Sequence, residues 1–139
     1  MNLQLSLKTQ WFEMTKSGVK TEDYREINPY WANRLFNKCN PDMSVAFWKG
    51  FLGRTGFDGE RQFRYYGFSG QTTIDYVLKK YGFKPFEANT MTLGYPKSTD
   101  TDRILKYEHA GIEIREGNPD WGAEPGKLYF VIKHGKLIK

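Results

Sequence analysis

Cysteine is nearly absent from this sequence. Cys39 stands alone in 139 residues, so no disulfide can close within the chain. Histidine is almost as scarce: His109 and His134 are far apart in sequence, Cys39 has neither beside it, and no group has metal-ligand spacing. No metal is therefore expected. No apolar run approaches the roughly 20 residues that a membrane helix requires. Met1 to Lys8 lacks the apolar centre of a signal peptide. The expected setting is the cytoplasm, with no membrane partner. The glycine-rich stretch after Phe51 lacks the lysine–serine/threonine ending that cradles a nucleotide phosphate, so no nucleotide cofactor is expected, and no cofactor of another kind. Nor is there a pattern pointing to a serine or cysteine triad.

What the chain does contain is positive charge and aromatic rings. Its net charge is +5 and aromatic residues make up 17% of it. A basic balance favours anionic partners: nucleic acids, nucleotides or acidic proteins. The length fits one domain with a real core, and no repeat or linker divides it.

Alternation of Leu3, Leu5 and Leu7 predicts a strand over Asn2 to Lys8. Thr9 is placed to cap a helix through Trp11, Phe12 and Met14, which Gly18 ends. Lys20 to Ile27 reads as extended. Asn28-Pro29 starts a second helix, with Trp31 and Leu35 on one face, ending near Asn37. Strands are expected at 45–48 and 62–66 with a glycine-rich loop or long hairpin between them. A third helix presents Ile74, Val77, Leu78 and Tyr81 on one face and stops at Gly82. Ala88 to Gly94 is a strand, and Gly94-Tyr95-Pro96 reads as a turn before it reads as a ligand wall. Arg103 to Arg115 is a long strand whose pattern slips near Gly111, where a bulge is expected. Leu128 to Ile132 is a buried strand, with a turn at His134-Gly135. Several short strands with glycine bends predict an α+β, mainly β fold: a small twisted barrel with flanking helices.

Gly18-x-Lys20-x-x-x-Tyr24-Arg25-Glu26 followed by Pro29-Tyr30-Trp31 resembles the ASCH domain of the PUA-like superfamily. Thr92-Leu93-Gly94-Tyr95-Pro96, Gly111-Ile112-Glu113-Ile114, Gly117-Asn118-Pro119-x-Trp121-Gly122-Ala123 and Tyr129-Phe130-Val131-Ile132 are similar to small bacterial and phage members. The resemblance covers about residues 2–39 and 86–138 of a single domain spanning 1–139, with an insertion at about 40–85. It implies a PUA-like β-barrel with flanking helices, and a role in RNA binding or in chemistry on nucleosides and RNA.

The densest chemistry lies in Ser17 to Glu26. On a regular strand Lys20, Glu22, Tyr24 and Glu26 share one face, and Asp23 and Arg25 share the other. A ligand-reading strand would use Lys20 and Arg25 for phosphate, Tyr24 or Trp31 for stacking, and Glu22 or Glu26 for base amines. A salt-bridged strand with Tyr24 in the core remains the plain alternative. Trp121 either stacks on a ligand or plugs the end of the barrel. Arg64, among the aromatics of the insertion, offers another phosphate contact or belongs to a small aromatic core. One branch of the superfamily resembles an amidohydrolase acting on modified cytidine, with a lysine matching Lys20 and a threonine three residues later. Here that position is Asp23, so the nucleophile is missing; Lys20, Asp23 and Glu113 are the catalytic candidates if water is activated instead. The expected function is binding of RNA or a nucleoside-like ligand through a basic, aromatic-lined cleft between Lys20–Glu26 and the loop around Trp121. The alternatives are a hydrolase of modified nucleosides or RNA, and a module that docks a protein partner through residues 42–68.

Overall fold

Alternating burial shapes the first strand, β1 (Asn2–Leu7), in which Leu3, Leu5 and Leu7 face inward and the residues between them face out. A computed structural model describes residues 1–37, 55–57, 63–65 and 82–138, the two short internal pieces by backbone alone. After β1 come α1 (Thr9–Lys16), β2 (Glu22–Arg25), α2 (Pro29–Leu35), β3 (Thr55–Phe57), β4 (Phe63–Tyr65), β5 (Ala88–Leu93), β6 (Ile104–Glu116) and β7 (Leu128–Leu137). Five strands form one sheet in the order β1-β5-β6-β7-β2. Only the β1–β5 pair is parallel. The sheet curls into half a barrel with β1 and β2 at its two edges, and the described fold is mainly β with two helices.

The concave side holds the core. Leu3, Leu5, Met91, Phe130 and Ile132 of the sheet meet Phe12 of α1 and Ala32 and Leu35 of α2, all almost fully buried. Phe36 stacks on Phe83 with ring centres 4.8 Å apart, and both meet the edge of Phe130. Tyr107 OH donates to Thr15 O (2.9 Å), tying β6 to the end of α1.

Of the two helix starts, one is as expected and one is not. Asn28 caps α2 through its side chain, which accepts from Trp31 N at 2.9 Å. Thr9 does not cap α1: Lys8 holds the cap position, without a side-chain bond, and Thr9 is the first helical residue. The extended segment expected from Lys20 shortens to Glu22–Arg25, because the turn closing α1 still holds the Lys20 backbone. The slip in β6 lies where glycine allows it. The β6–β7 register shifts around His109, and Gly111 has φ of +116°. The turn expected at His134-Gly135 does not form. β7 continues to Leu137 because the long β6 supplies partners past that point, with Tyr107 opposite Leu137.

Residues 36–37 and 82–84 lie side by side. Phe36 bridges Phe83, Asn37 N donates to Gly82 O (2.9 Å), and Lys84 N donates to Leu35 O (2.9 Å). The two described ends that flank residues 38–81 are thus joined to each other. β3 and β4 pair antiparallel, with Gly56 opposite Arg64. The strand expected at 45–48, the third helix, the Arg64 side chain and most of residues 42–68 lie outside the described residues.

Phe130→Ala should cost about 3–5 kcal/mol by emptying the centre of the core, whereas Tyr95→Ala, on a fully exposed ring, should stay within about 0.5 kcal/mol of the parent. Urea denaturation of the two variants checks the contrast.

Candidate functional site

The turn after α1 delivers the first residue of the site. Gly18 has φ of +83°, Gly18 N donates to Thr15 O (3.1 Å) and Val19 N to Met14 O (3.1 Å). These are the two bonds of a Schellman motif. Lys20 N bonds to Met14 O as well (3.0 Å), so the chain doubles back and sends the Lys20 side chain inward, where the residue is only 3% exposed. Lys20 precedes β2 and is not part of its pleat. The alternation that separates Lys20 from Arg25 on a regular strand therefore does not apply, and the two line one cavity.

Lys20 Nζ donates to Glu22 O (2.7 Å) and forms an ion pair with Asp23 Oδ1. Burial pulls the Lys20 ammonium below its ordinary pKa, with Asp23 opposing the shift. Asp23 is 3% exposed, and burial alone would raise its pKa. The hydrogen bond from His134 and the Lys20 charge outweigh that and hold the carboxyl down at about 2.

The pair continues into a chain of side chains. Asp23 Oδ2 is 2.6 Å from His134 Nε2. His134 Nδ1 is 2.8 Å from Asn89 Nδ2, which also donates to Lys133 O (3.1 Å). Asn89 Oδ1 is 2.7 Å from His109 Nδ1. The ionised carboxylate only accepts, so His134 carries hydrogen on Nε2 and accepts from the Asn89 amide at Nδ1. His109 then donates to Asn89 Oδ1, and every contact in the chain is satisfied in one direction. Burial and the neighbouring His134 and Lys133 lower the His109 pKa. Linear spacing hid this cluster: the register of β6 and β7 sets His109 opposite His134. Among the described residues there is no group of three side chains arranged to hold a metal ion.

In front of Lys20 and Asp23 is a cavity of about 270 Å³, lined by Ser6, Trp11, Tyr24, Arg25, Trp121 and Tyr129 among others. It opens at the seam between β1 and β2, the two edges that do not pair with each other. The loop carrying Trp121 is fixed from below. Tyr24 OH accepts from Asn118 N (2.8 Å) and donates to Glu22 Oε1 (2.6 Å). Asn118 Oδ1 accepts from Asp120 N (2.9 Å) and starts the short turn Pro119–Trp121. Gly122 has φ of +98°, and a Cβ there would lie 2.9 Å from the Trp11 ring, so only glycine lets the loop settle on Trp11.

The other expected site residues divide. Trp31 lies beside this cavity, with the Arg25 guanidinium 5.0 Å from its ring centre. Glu22 lines neither this cavity nor the adjoining one; it is held by Arg115 Nη2 at 2.5 Å and by Tyr24. Glu26 is exposed and pairs with Lys127 at 3.1 Å. Glu113 is exposed, between Arg115 (2.8 Å) and Lys133 (3.0 Å), and lines neither cavity. Trp11, Asn89, His109 and His134 join the site without a sequence signal that places them there. Of these only the histidines carry chemistry by type alone, and their meeting depends on strand register.

No family model matches the chain, and no solved structure matches it significantly. Among curated proteins it is similar to outer membrane porin C of Serratia marcescens, 30% identical over 88 residues, which is 63% of this chain and 23% of the porin. The chain thus spans less than a quarter of the length of that relative.

Acid should expose the role of Asp23. Its pKa falls from 3.8 to about 2 on folding, so its contribution is complete above the unfolded value and lost as pH drops toward about 2. Urea midpoints should fall over that window. Asp23→Asn at neutral pH leaves the Lys20 ammonium buried without its partner and should cost about 3–5 kcal/mol. Adding Lys20→Met should recover much of that loss.

Proposed function

We propose that this protein is a PUA-like module of the ASCH type that takes a single nucleobase, from RNA or from a nucleoside-like ligand, into the cavity in front of Lys20. The observation that carries the proposal is the makeup of that cavity. Three cations, Lys8, Lys20 and Arg25, and the aromatic rings of Trp11, Tyr24, Tyr129 and Trp121 surround one space of about 270 Å³. That is slightly below the roughly 300 Å³ at which small-molecule pockets begin, a size suited to one base and not to a stack of several. Aromatic walls supply stacking that any base satisfies. At the inner end an ammonium donor lies beside a carboxylate acceptor, the pairing needed to read a base edge that carries an amine next to an acceptor. Two of the three Lys20 ammonium hydrogens are used within the protein, which leaves one for a ligand.

Cytoplasmic RNA or nucleosides are the partners that fit this reading, and no cofactor is needed for it. The concave, apolar side of the described sheet faces α1 and α2. A transmembrane barrel instead turns its apolar band outward, and this contrast supports a domain surrounded by water.

Catalysis on a modified nucleoside is the second reading, and one observation favours it: Lys20 is desolvated at a cavity and linked through Asp23 to His134. A lysine in such surroundings serves as a base once it sheds its proton. Against it, the Asp23 carboxyl held at about 2 is a weak base near neutrality, so recognition is preferred.

Short single-stranded RNA and free nucleosides should both quench tryptophan fluorescence at about 50 mM salt, the RNA binding weakening steeply as salt rises. Trp121→Ala should weaken both about 5- to 100-fold, the worth of one stacked base. No association of either ligand with the folded protein would remove the proposal. Turnover of an acylated cytidine, lost in Lys20→Met with the fold retained, would shift the assignment to the hydrolase.

A further inference from the structure

A second cavity, of about 340 Å³, adjoins the first across Arg25 and Ser6, which line both. Gln4, Tyr30, Trp31, Arg34 and Tyr95 line the rest, with Thr92. We propose that Arg25 and Arg34 clamp a backbone phosphate here and that Tyr95 stacks the next base, so that the ligand is a single-stranded oligonucleotide and not a free nucleoside. This rests on the reading that the first cavity takes a nucleobase.

The seam of the half-barrel explains why two arginines gather there. β1 is an edge strand whose outward carbonyls have no strand partner. Arg25 Nη2 donates to Ser6 O (3.1 Å) and Arg34 Nη2 to Gln4 O (3.3 Å), so successive outward residues of β1 are each met by a guanidinium. Both guanidiniums lie on Trp31, with Arg25 5.0 Å and Arg34 5.1 Å from its ring centre, and Arg34 also bonds to Tyr30 OH (2.8 Å). Aromatic contact fixes their planes and leaves N–H groups free for an anion.

Neither arginine forms an ion pair with a carboxylate among the described residues. Burial lowers the pKa of Arg25, Asp23 opposes that shift and Arg34 adds to it, and Arg25 Nε is buried without a hydrogen-bond partner among the described residues. Two like charges held together and half out of water are unfavourable by themselves. A phosphate, which accepts bidentate bonds from arginine, relieves the repulsion. Tyr95 completes the arrangement. It follows Gly94, whose φ is +68°, precedes Pro96, and is 95% exposed, so its ring is presented to solvent at the mouth of the second cavity. An aromatic face displayed in this way beside a phosphate clamp matches the stacking platforms of single-strand binders.

Dissociation constants should be measured by fluorescence or calorimetry for a nucleoside, its monophosphate, a dinucleotide and a tetranucleotide, with inorganic phosphate as a separate ligand. The wild-type protein should bind the dinucleotide at least tenfold tighter than the nucleoside. Arg34→Gln should remove most of the gain on adding a phosphate, reduce the salt slope by about one, and leave the nucleoside constant unchanged. Tyr95→Ala should cost about 5- to 100-fold for the dinucleotide and nothing for the monophosphate. Circular dichroism of both variants confirms the fold; Tyr95 is exposed and Arg34 half-buried. Equal affinity for nucleoside and dinucleotide overturns the second subsite while leaving the first intact. Arg34→Gln weakening every ligand by one factor overturns it as well. Inorganic phosphate binding as tightly as the monophosphate's gain would make the clamp an anion site without a nucleotide role, and overturns it too. If wild-type protein binds none of the nucleic-acid ligands, both readings fail together.

Discussion

The Lys20 ammonium and the Asp23 carboxylate lie against each other almost out of reach of water, and four parts of the chain are fixed by that contact. Lys20 comes from the turn that ends α1, Asp23 from β2, His134 from β7 and Asn89 from β5. A buried ion pair is a weak source of stability, because desolvating two charges offsets much of their attraction. Its strength is in specification. Each charge is acceptable inside only while the other is present and its remaining bonds are made. The turn after Gly18, the register of β2 on β7 and the β6–β7 bulge must therefore all form correctly before the interior is satisfied. His134 joins the chain of contacts because β7 does not stop at the apolar run but carries on beside β6.

The curl of the sheet determines where a ligand has room. Five strands do not close the barrel, and β1 and β2 remain as facing edges. Side chains, not backbone bonds, occupy the gap: Arg25 and Arg34 reach across to β1, and Trp11 and Trp121 stand at one end. An open seam of this kind carries polar backbone, cations and aromatic rings in the same few ångströms. That is the composition that single-stranded nucleic acid requires and that a hydrophobic small molecule does not. The same Arg25 lines both cavities of the seam, so a base bound in one and a phosphate bound in the other would share it.

Much of the architecture was legible in the sequence, and the part that was not has a common cause. Leu3, Leu5 and Leu7, Asn28-Pro29, Gly18 and the slip at Gly111 are local signals whose meaning depends on dihedral angles and near neighbours, and each is found where expected. His134-Gly135 reads locally as a turn, yet β6 overrides it by offering partners. Lys20 reads as a strand residue, yet the helix cap claims its backbone. The site suffered most from this. Lys20, Asp23, Tyr24, Arg25 and Trp121 were named and do line one cavity, because the motif around Gly18 places them within a few residues of each other or on the loop facing them. The clustering of Asn89, His109 and His134 has no local signal, since an asparagine and two scattered histidines meet only once three strands are in register. Glu22 and Glu113 look like base readers or water activators by type, but Arg115 claims both.

The claim at the centre of this account is that the seam in front of Lys20 accepts a nucleobase. Heteronuclear NMR of the labelled protein titrated with a short single-stranded RNA tests it most directly. The account predicts that the indole signals of Trp11 and Trp121 and the side-chain amine of Lys20 shift together, with contacts from base protons to those rings. Shifts confined to the outer surface around Glu113, Arg115 and Lys133, with the two indoles unmoved, would contradict it.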